Sequence, residues 1–200
     1  MERRETEPEV KLTPEEKDLL ERWRARIGQV FVPQTEQEAM ADDVIINFWG
    51  LGSEATRTSI QRWATVNEDY NALWFDEEYA KDSRWKGITA PPLYLACVND
   101  GLQWPESCTD EFVGPGMMPR PGKFPYYSHT FQAESEWEFF EPVRPGDTIG
   151  SVAKLADVYW KQGREFRMFF VVGETTLTNQ KGQLVGRNRS SPVFLFRNLE

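Results

Sequence analysis

IGSVAKLADVYWKQGREFRMFFVVGETTLTNQKGQLVGRNRSSPVFLF, residues 149–196, decides the fold. It divides at KQGRE (161–165) and NQKGQ (179–183), two short polar segments that each carry a glycine. The pieces between are rich in Val, Phe, Thr and Tyr, which suit a pleated, half-buried surface. Strands are expected over IGSVAKLADVYW, FRMFFVVGETTLTN and LVGRNRSSPVFLF, joined by tight turns. Upstream, FQAESEWEFFEPV (131–143) alternates in part between apolar and polar residues, and RPGDT (144–148) reads as another turn. The last third is therefore expected to be a meander of long antiparallel strands.

Ahead of the strands lies ITAPPLYLACVNDGLQ (88–103). Pro91 and Pro92 suit a helix N-terminus, where a missing N–H costs little. Tyr94, Cys97, Val98, Gly101 and Leu102 fall on one stripe, so a buried helix is expected over about 91–103. Residues 103–130 are rich in proline and aromatics, too irregular for a regular element and too aromatic for a solvated linker. A packed covering loop is expected there, with Phe124 and Tyr126 in it.

The N-terminal part reads as helical. In KLTPEEKDLLERWRARIGQ (11–29), Thr13 is the candidate N-cap, Pro14 sits at the first helical position and Glu16 completes a capping box. Leu19, Leu20 and Trp23 make an apolar stripe, and Gly28 is a plausible stop. This helix belongs to an N-terminal extension, 1–28. VIINF (44–48) suits either a short strand or a helix start. Ile60, Trp63, Ala64 and Val66 give a second helix its apolar positions, and DEEYAKDS (76–83) reads as an acidic helical turn. Helices first, one buried helix, then strands: the order implies an α+β domain, a curled antiparallel sheet around a central helix, over residues 1–200.

Composition narrows the function. The chain's 200 residues, 40% of them apolar, can build one sizeable core. A net charge of −9 argues against a nucleic-acid backbone partner, though not against a phosphorylated small ligand held by a few cations. No apolar run approaches the roughly 20 residues of a membrane span. The charged N-terminus lacks the apolar core of a secretory signal. Cys97 and Cys108 lack metal spacing, so no metal or cofactor is implied and a cytoplasmic location is expected. The aromatic content (14%, with eight Trp) suits a heavily aromatic core, or an aromatic-lined pocket or large interface.

VNEDYNALWFDEEYA (66–80), WKGITAPPLYL (85–95), SEWEFFEPVRPGDTI (135–149) and KLADVYWKQGREFRMFFVVGETTLTNQKGQLV (154–185) stand in one order along the chain. Together they resemble the MaoC-like (R)-specific enoyl-CoA hydratases and acyl dehydratases. The resemblance is to the branch of N-terminal, FAS1-like dehydratase domains with the hot-dog fold, and it covers roughly residues 10–197. Active members carry an Asp and, five residues on, a His before the central helix. That pair activates a water for addition to an enoyl thioester by exchanging general-acid and general-base roles. Asp69 matches the Asp, but the His position is Trp74, whose indole only donates hydrogen bonds. Active members also place a Gly near the helix start, freeing an N–H for the thioester oxygen; here Pro91 and Pro92 remove donors.

The resemblance thus implies a non-catalytic, substrate-binding subunit of a heteromeric enoyl-CoA hydratase (dehydratase) for a bulky or long acyl-CoA. A second MaoC-like hot-dog chain would supply the Asp/His pair. The substrate-binding candidates are Asn71, Trp74, Pro91, Pro92, Tyr94, Phe124 and Tyr126. The candidates for the CoA phosphates are Arg84, Lys86, Arg187 and Arg189, each of which also reads as a solvated surface charge. Asp69 equally suits a cap or Asx-turn before a helix. His129, the single histidine, reads as structural or as a substitute base. Two other functions stand open: a homodimeric hydratase using Asp69 and an unidentified base, and an acyl-CoA-binding protein without catalysis.

Overall fold

In a computed structural model, residues 10–28, 53–98, 124 and 126–199 are described. Four long strands and one short one form a single antiparallel sheet: β1 (Ser53–Glu54), β2 (Tyr127–Phe139), β3 (Thr148–Gln162), β4 (Phe166–Asn179) and β5 (Leu184–Arg197). Their order is β1-β3-β4-β5-β2. The helices are α1 (Pro14–Arg24), α2 (Arg57–Val66), α3 (Ala72–Phe75), α4 (Glu77–Asp82) and α5 (Leu95–Val98), the last entered through a 3₁₀ turn at Pro92–Tyr94. Among the described residues no helix is long and apolar enough to cross a membrane.

The strand expectation holds for β3, β4 and β5, which form the meander. The turns behave as read. Gly163 donates to Phe166 O at 2.8 Å. Gly182 takes a positive φ of 76°, and the Asn179 side chain accepts from Lys181 N and Gln183 N, both at 3.0 Å.

The first long strand departs from the expectation. It begins at Tyr127, inside the segment read as a covering loop, and pairs with β5 at the far edge instead of with β3. The connection explains this. Phe140 N and Glu141 N still donate to Val185 O and Leu184 O, and then Val143 O accepts from Ala90 N at 2.8 Å. The RPGDT turn closes on itself, Arg144 N donating to the Asp147 carboxylate at 2.8 Å, and ties to the residue after β1 through Gly146 N to Ala55 O. Residues 140–147 therefore run across the end of the sheet and cannot form a hairpin.

One face of β4, from Arg167 through Phe169, Val171 and Thr175 to Asn179, is buried along its length. Two clusters cover it. At one end Leu19 and Trp23 of α1 pack with Phe124, Trp160, Phe169, Phe194 and Phe196. At the other, Ile60, Ala90, Tyr94, Leu95 and Val143 pack on Ile149, Leu177 and Val185. The α1 capping box forms as read, with Thr13 N donating to the Glu16 carboxylate at 2.9 Å and Glu16 N to Thr13 Oγ1 at 3.3 Å. The same buried carboxylate pairs with Arg167 of β4, which pins the helix to the sheet.

Two stripe assignments need correction. Val66, at the end of α2, is exposed, because the helix face that packs carries Ile60 and Ala64. Cys97 is exposed rather than buried with Tyr94, its Sγ accepting from Trp63 Nε1 at 3.1 Å. The rest of the expected helix (99–103), VIINF, Cys108 and residues 103–123 of the covering loop lie outside the described residues.

Candidate functional site

The stretch 66–80 folds into two short capped helices. Asn71 caps α3 by accepting from Leu73 N at 3.0 Å, and Asp76 caps α4 by accepting from Glu78 N and Tyr79 N. Asp69 takes the Asx-turn geometry: its carboxylate accepts from Asn71 N at 3.3 Å. Trp74 follows one turn later and is buried, with Gln61 Nε2 donating to its carbonyl at 3.3 Å. Its indole Nε1 is buried without a hydrogen-bond partner.

From α4 the chain enters a braced loop. Ser83 Oγ accepts from Trp85 N, Gly87 N donates to Ala80 O, and Arg144 donates to Trp85 O at 2.7 Å. Lys86 takes a positive φ of 57° and is exposed. This loop delivers Thr89 and Ala90 to the helix start. There Ala90 N is occupied by Val143 O, Tyr94 N by Pro91 O, and Pro91 and Pro92 have no N–H.

These pieces enclose a cavity of about 300 Å³. One wall is Trp74, Arg84, Trp85, Pro91, Pro92 and Leu95; the other is Phe139, Phe140, Glu141, Pro142 and Val143 from the end of β2 and its exit, with Val185 of β5. The lining is mostly apolar, as in small-molecule sites. Arg84 stacks over Trp85 at 4.2 Å from the ring centroid and is the cation of the wall. Gly186 permits the close seating of the helix start, since a Cβ there would stand 2.7 Å from Leu95 Cδ1.

The sequence candidates separate in space. Trp74, Pro91, Pro92 and Arg84 share the cavity wall. Asn71 is spent on capping. Tyr94 points into the core instead, hydrogen-bonded to Ser59 Oγ at 2.6 Å; burial pushes its phenol above the usual tyrosine value, the Ser59 bond opposing in part. Phe124 lies in the α1 cluster and Tyr126 beside Arg167, at the other end of the sheet. His129 stands near the start of β2, its Nδ1 hydrogen-bonded to Ser128 Oγ and its ring edge-on to Phe131 and Phe166.

Arg187 and Arg189 line a different cavity, of about 480 Å³, with Glu136, Glu138, Lys154 and Glu174. Arg189 pairs there with Glu174, whose carboxyl is held below its usual range first by the Lys154 hydrogen bond, with further help from Arg189. Arg187 stands 3.8 Å from Glu138, both side chains largely exposed. Trp85, Phe139, Phe140 and Glu141 escaped sequence reasoning. A signal existed: in EWEFFEPV the second Phe breaks the alternation where the strand leaves the sheet.

Residues 46–187 match the FAS1-like, dehydratase domain region. The chain belongs to this family. No curated protein sequence matches this FAS1-like dehydratase domain. Its hot-dog fold is shared with solved structures. A MaoC-like dehydratase from Rhodospirillum rubrum is 20% identical with a TM-score of 0.51, over 76% of this chain and 92% of that one. The ChsH1-ChsH2 complex from Mycobacterium tuberculosis gives 18% and 0.56, over 74% and 82%. The C-terminally truncated HadBC (3R-hydroxyacyl-ACP dehydratase) complex from the same organism gives 19% and 0.52, over 70% and 88%. At these identities the likeness establishes the fold.

Proposed function

We propose that this dehydratase hot-dog domain is the substrate-binding, non-catalytic subunit of a heteromeric enoyl-thioester hydratase (dehydratase). The observation that carries the reading is the pairing of Asp69 and Trp74. The carboxylate is engaged with the Asn71 amide, and the residue five positions on is an indole built into the cavity wall. An indole cannot accept a proton, so a water held there would find no acid–base pair. The proline-blocked helix start is consistent with the same loss.

A partner has a place to attach. β2 spans 13 residues at the sheet edge, is exposed along most of its length, and leaves its outer edge unpaired among the described residues. Such an edge invites another strand. The cavity wall includes the end of that strand, so a second hot-dog chain pairing there would stand beside it and could bring Asp and His to the bound thioester. Two of the similar structures are themselves complexes of paired chains, ChsH1-ChsH2 and HadBC. The aromatic and proline walls suit a bulky or long acyl group; Arg84 of the cavity wall and the exposed Lys86, two residues on, are the candidates for the CoA phosphates.

The test is enoyl-CoA hydration by this chain alone, by a neighbouring-gene hot-dog chain carrying the Asp-x4-His pattern alone, and by both together. Activity of the mixture well above either component is expected. Robust turnover by this chain alone would sink the reading in favour of a self-sufficient hydratase.

A further inference from the structure

Besides its two indoles, the 300 Å³ cavity is lined by three polar side chains, Arg84, Thr89 and Glu141. Arg84 and Glu141 are exposed, whereas Thr89 is 1% exposed. Thr89 stands at the helix start, directly before Ala90, whose N–H is taken by Val143 O. Among the described residues, the partnerless side-chain polar atoms wholly sealed from solvent are Trp74 Nε1, Ser151 Oγ and Trp160 Nε1. Thr89 Oγ1 also has no hydrogen-bond partner among the described residues, yet it is not one of the sealed atoms. The sliver of Thr89 that remains open therefore includes its hydroxyl oxygen, on a residue that lines the cavity. A hydroxyl withdrawn from bulk water and left unpaired is costly, and a ligand oxygen in the cavity relieves that cost.

We infer that the Thr89 hydroxyl is the binding donor for the carbonyl oxygen of an acyl thioester. This rests on the acyl-thioester reading above and adds the atom that receives the head of the acyl group. Arg84, on the same wall, offers a ligand oxygen the alternative. It is a full charge, exposed and laid over Trp85, so it draws an anionic group at a place that water still reaches. A carboxylate at Thr89 would have a single hydroxyl to offset its desolvation. An uncharged carbonyl needs no more than that one donor, and gains most where water is scarce. An acyl-CoA has this division of character: anionic phosphates for the exposed cation, a neutral carbonyl for the withdrawn hydroxyl, and an apolar chain for the prolines and phenylalanines. Thr89 thus gives the helix start a donor that Pro91 and Pro92 cannot supply. It is a binding and positioning residue with no part in proton transfer.

The test compares octanoyl-CoA with S-octyl-CoA, the thioether in which a methylene replaces the carbonyl, by calorimetry on the full chain. Wild type is expected to bind the thioester about tenfold more tightly, the worth of one neutral hydrogen bond. Thr89→Val, which keeps the shape without the hydroxyl, is expected to bind the thioester no better than the thioether, and Thr89→Ser to keep the preference. Arg84→Gln is expected to weaken both compounds alike and leave their ratio unchanged. Without ligand, the urea midpoint of Thr89→Val should equal or exceed that of wild type, since no internal hydrogen bond is lost. A lower midpoint, a preference that survives Thr89→Val, or one that vanishes in Arg84→Gln overturns the inference while leaving acyl-CoA binding standing. Equal affinity of wild type for the two compounds does the same. Failure of both compounds to bind overturns the acyl-thioester reading itself and the inference with it.

Discussion

Arg167→Ala is expected to cost about 3–5 kcal/mol of folding stability, because it would strand a carboxylate in the core. Arg167 and Glu16 are each 1% exposed and form an ion pair. The guanidinium also donates to Lys11 O at 3.1 Å and to Arg197 O at 2.9 and 3.3 Å. Removing it leaves Glu16 with the Thr13 amide as its remaining hydrogen-bond donor and frees two backbone carbonyls. Glu16→Gln keeps the shape and the Thr13 bond, so it should cost less, about 2 kcal/mol, the scale of a lost charge-assisted hydrogen bond. Replacing both, as Arg167→Met with Glu16→Leu, removes the need to desolvate charge and should land within about 1–2 kcal/mol of wild type. Urea unfolding followed by both tryptophan fluorescence and circular dichroism measures each variant, with coincident transitions and a constant slope as the control. A loss below about 1 kcal/mol for Arg167→Ala, or a double variant as unstable as the sum of the singles, would refute the role of this pair in fixing α1 to the sheet.

Three further expectations follow from other parts of the molecule. Gly186→Ala should cost about 1–3 kcal/mol, since its new methyl meets Leu95 Cδ1 at 2.7 Å, and the cost should shrink in a Leu95→Ala background; additive losses in chemical denaturation would show that the helix start does not sit on that glycine. Tyr94 has its phenol pKa raised by burial, so above an unfolded value near 10 the unfolded chain loses the proton first and stability falls as pH rises. Tyr94→Phe should flatten that alkaline decline while costing about 1 kcal/mol at neutral pH, and an unchanged pH–stability curve would exclude Tyr94 as its source. Glu141→Gln should leave hydration by the reconstituted pair within about twofold, whereas a fall of about a hundredfold or more would make the cavity's carboxylate a general base.

What could be read from the chain follows the range of the forces involved. Strands β3 to β5 announce themselves because alternation and turn chemistry act between neighbours, and the α1 capping box is visible because its donors and acceptors lie three residues apart. The Glu16–Arg167 pair joins residues 151 positions apart, and nothing local to either marks it. The exchange of β2 to the far edge was hidden for a related reason. RPGDT does make a turn, but its backbone bonds go to Ala55, and β2 finds its partner in β5. The site was half legible. Trp74, Pro91 and Pro92 were found from their own segments, while the opposite wall of Phe139, Phe140 and Pro142 depends on where β2 ends in space. Phe124 and Tyr126 were misplaced because aromatic content near the helix says nothing about which end of the sheet it joins.

The position of that second wall bears on how such a site can divide its labour. Trp74 and the proline-led helix start belong to the interior of this chain, held by Asn71, Gln61 and the braced 83–90 loop. Phe139 ends the edge strand β2 and Phe140 follows it directly, and both are more than 40% exposed although they line the cavity. A wall with that much uncovered apolar surface closes only when something is laid against it. Ligand binding and strand pairing would then bury the same two rings, so each would favour the other through shared surface without any long-range change of shape. On the proposed reading, a chain organised this way could lose its own acid–base pair and still keep a reason for its cavity, because the surface that would grip the acyl group would also hold the partner.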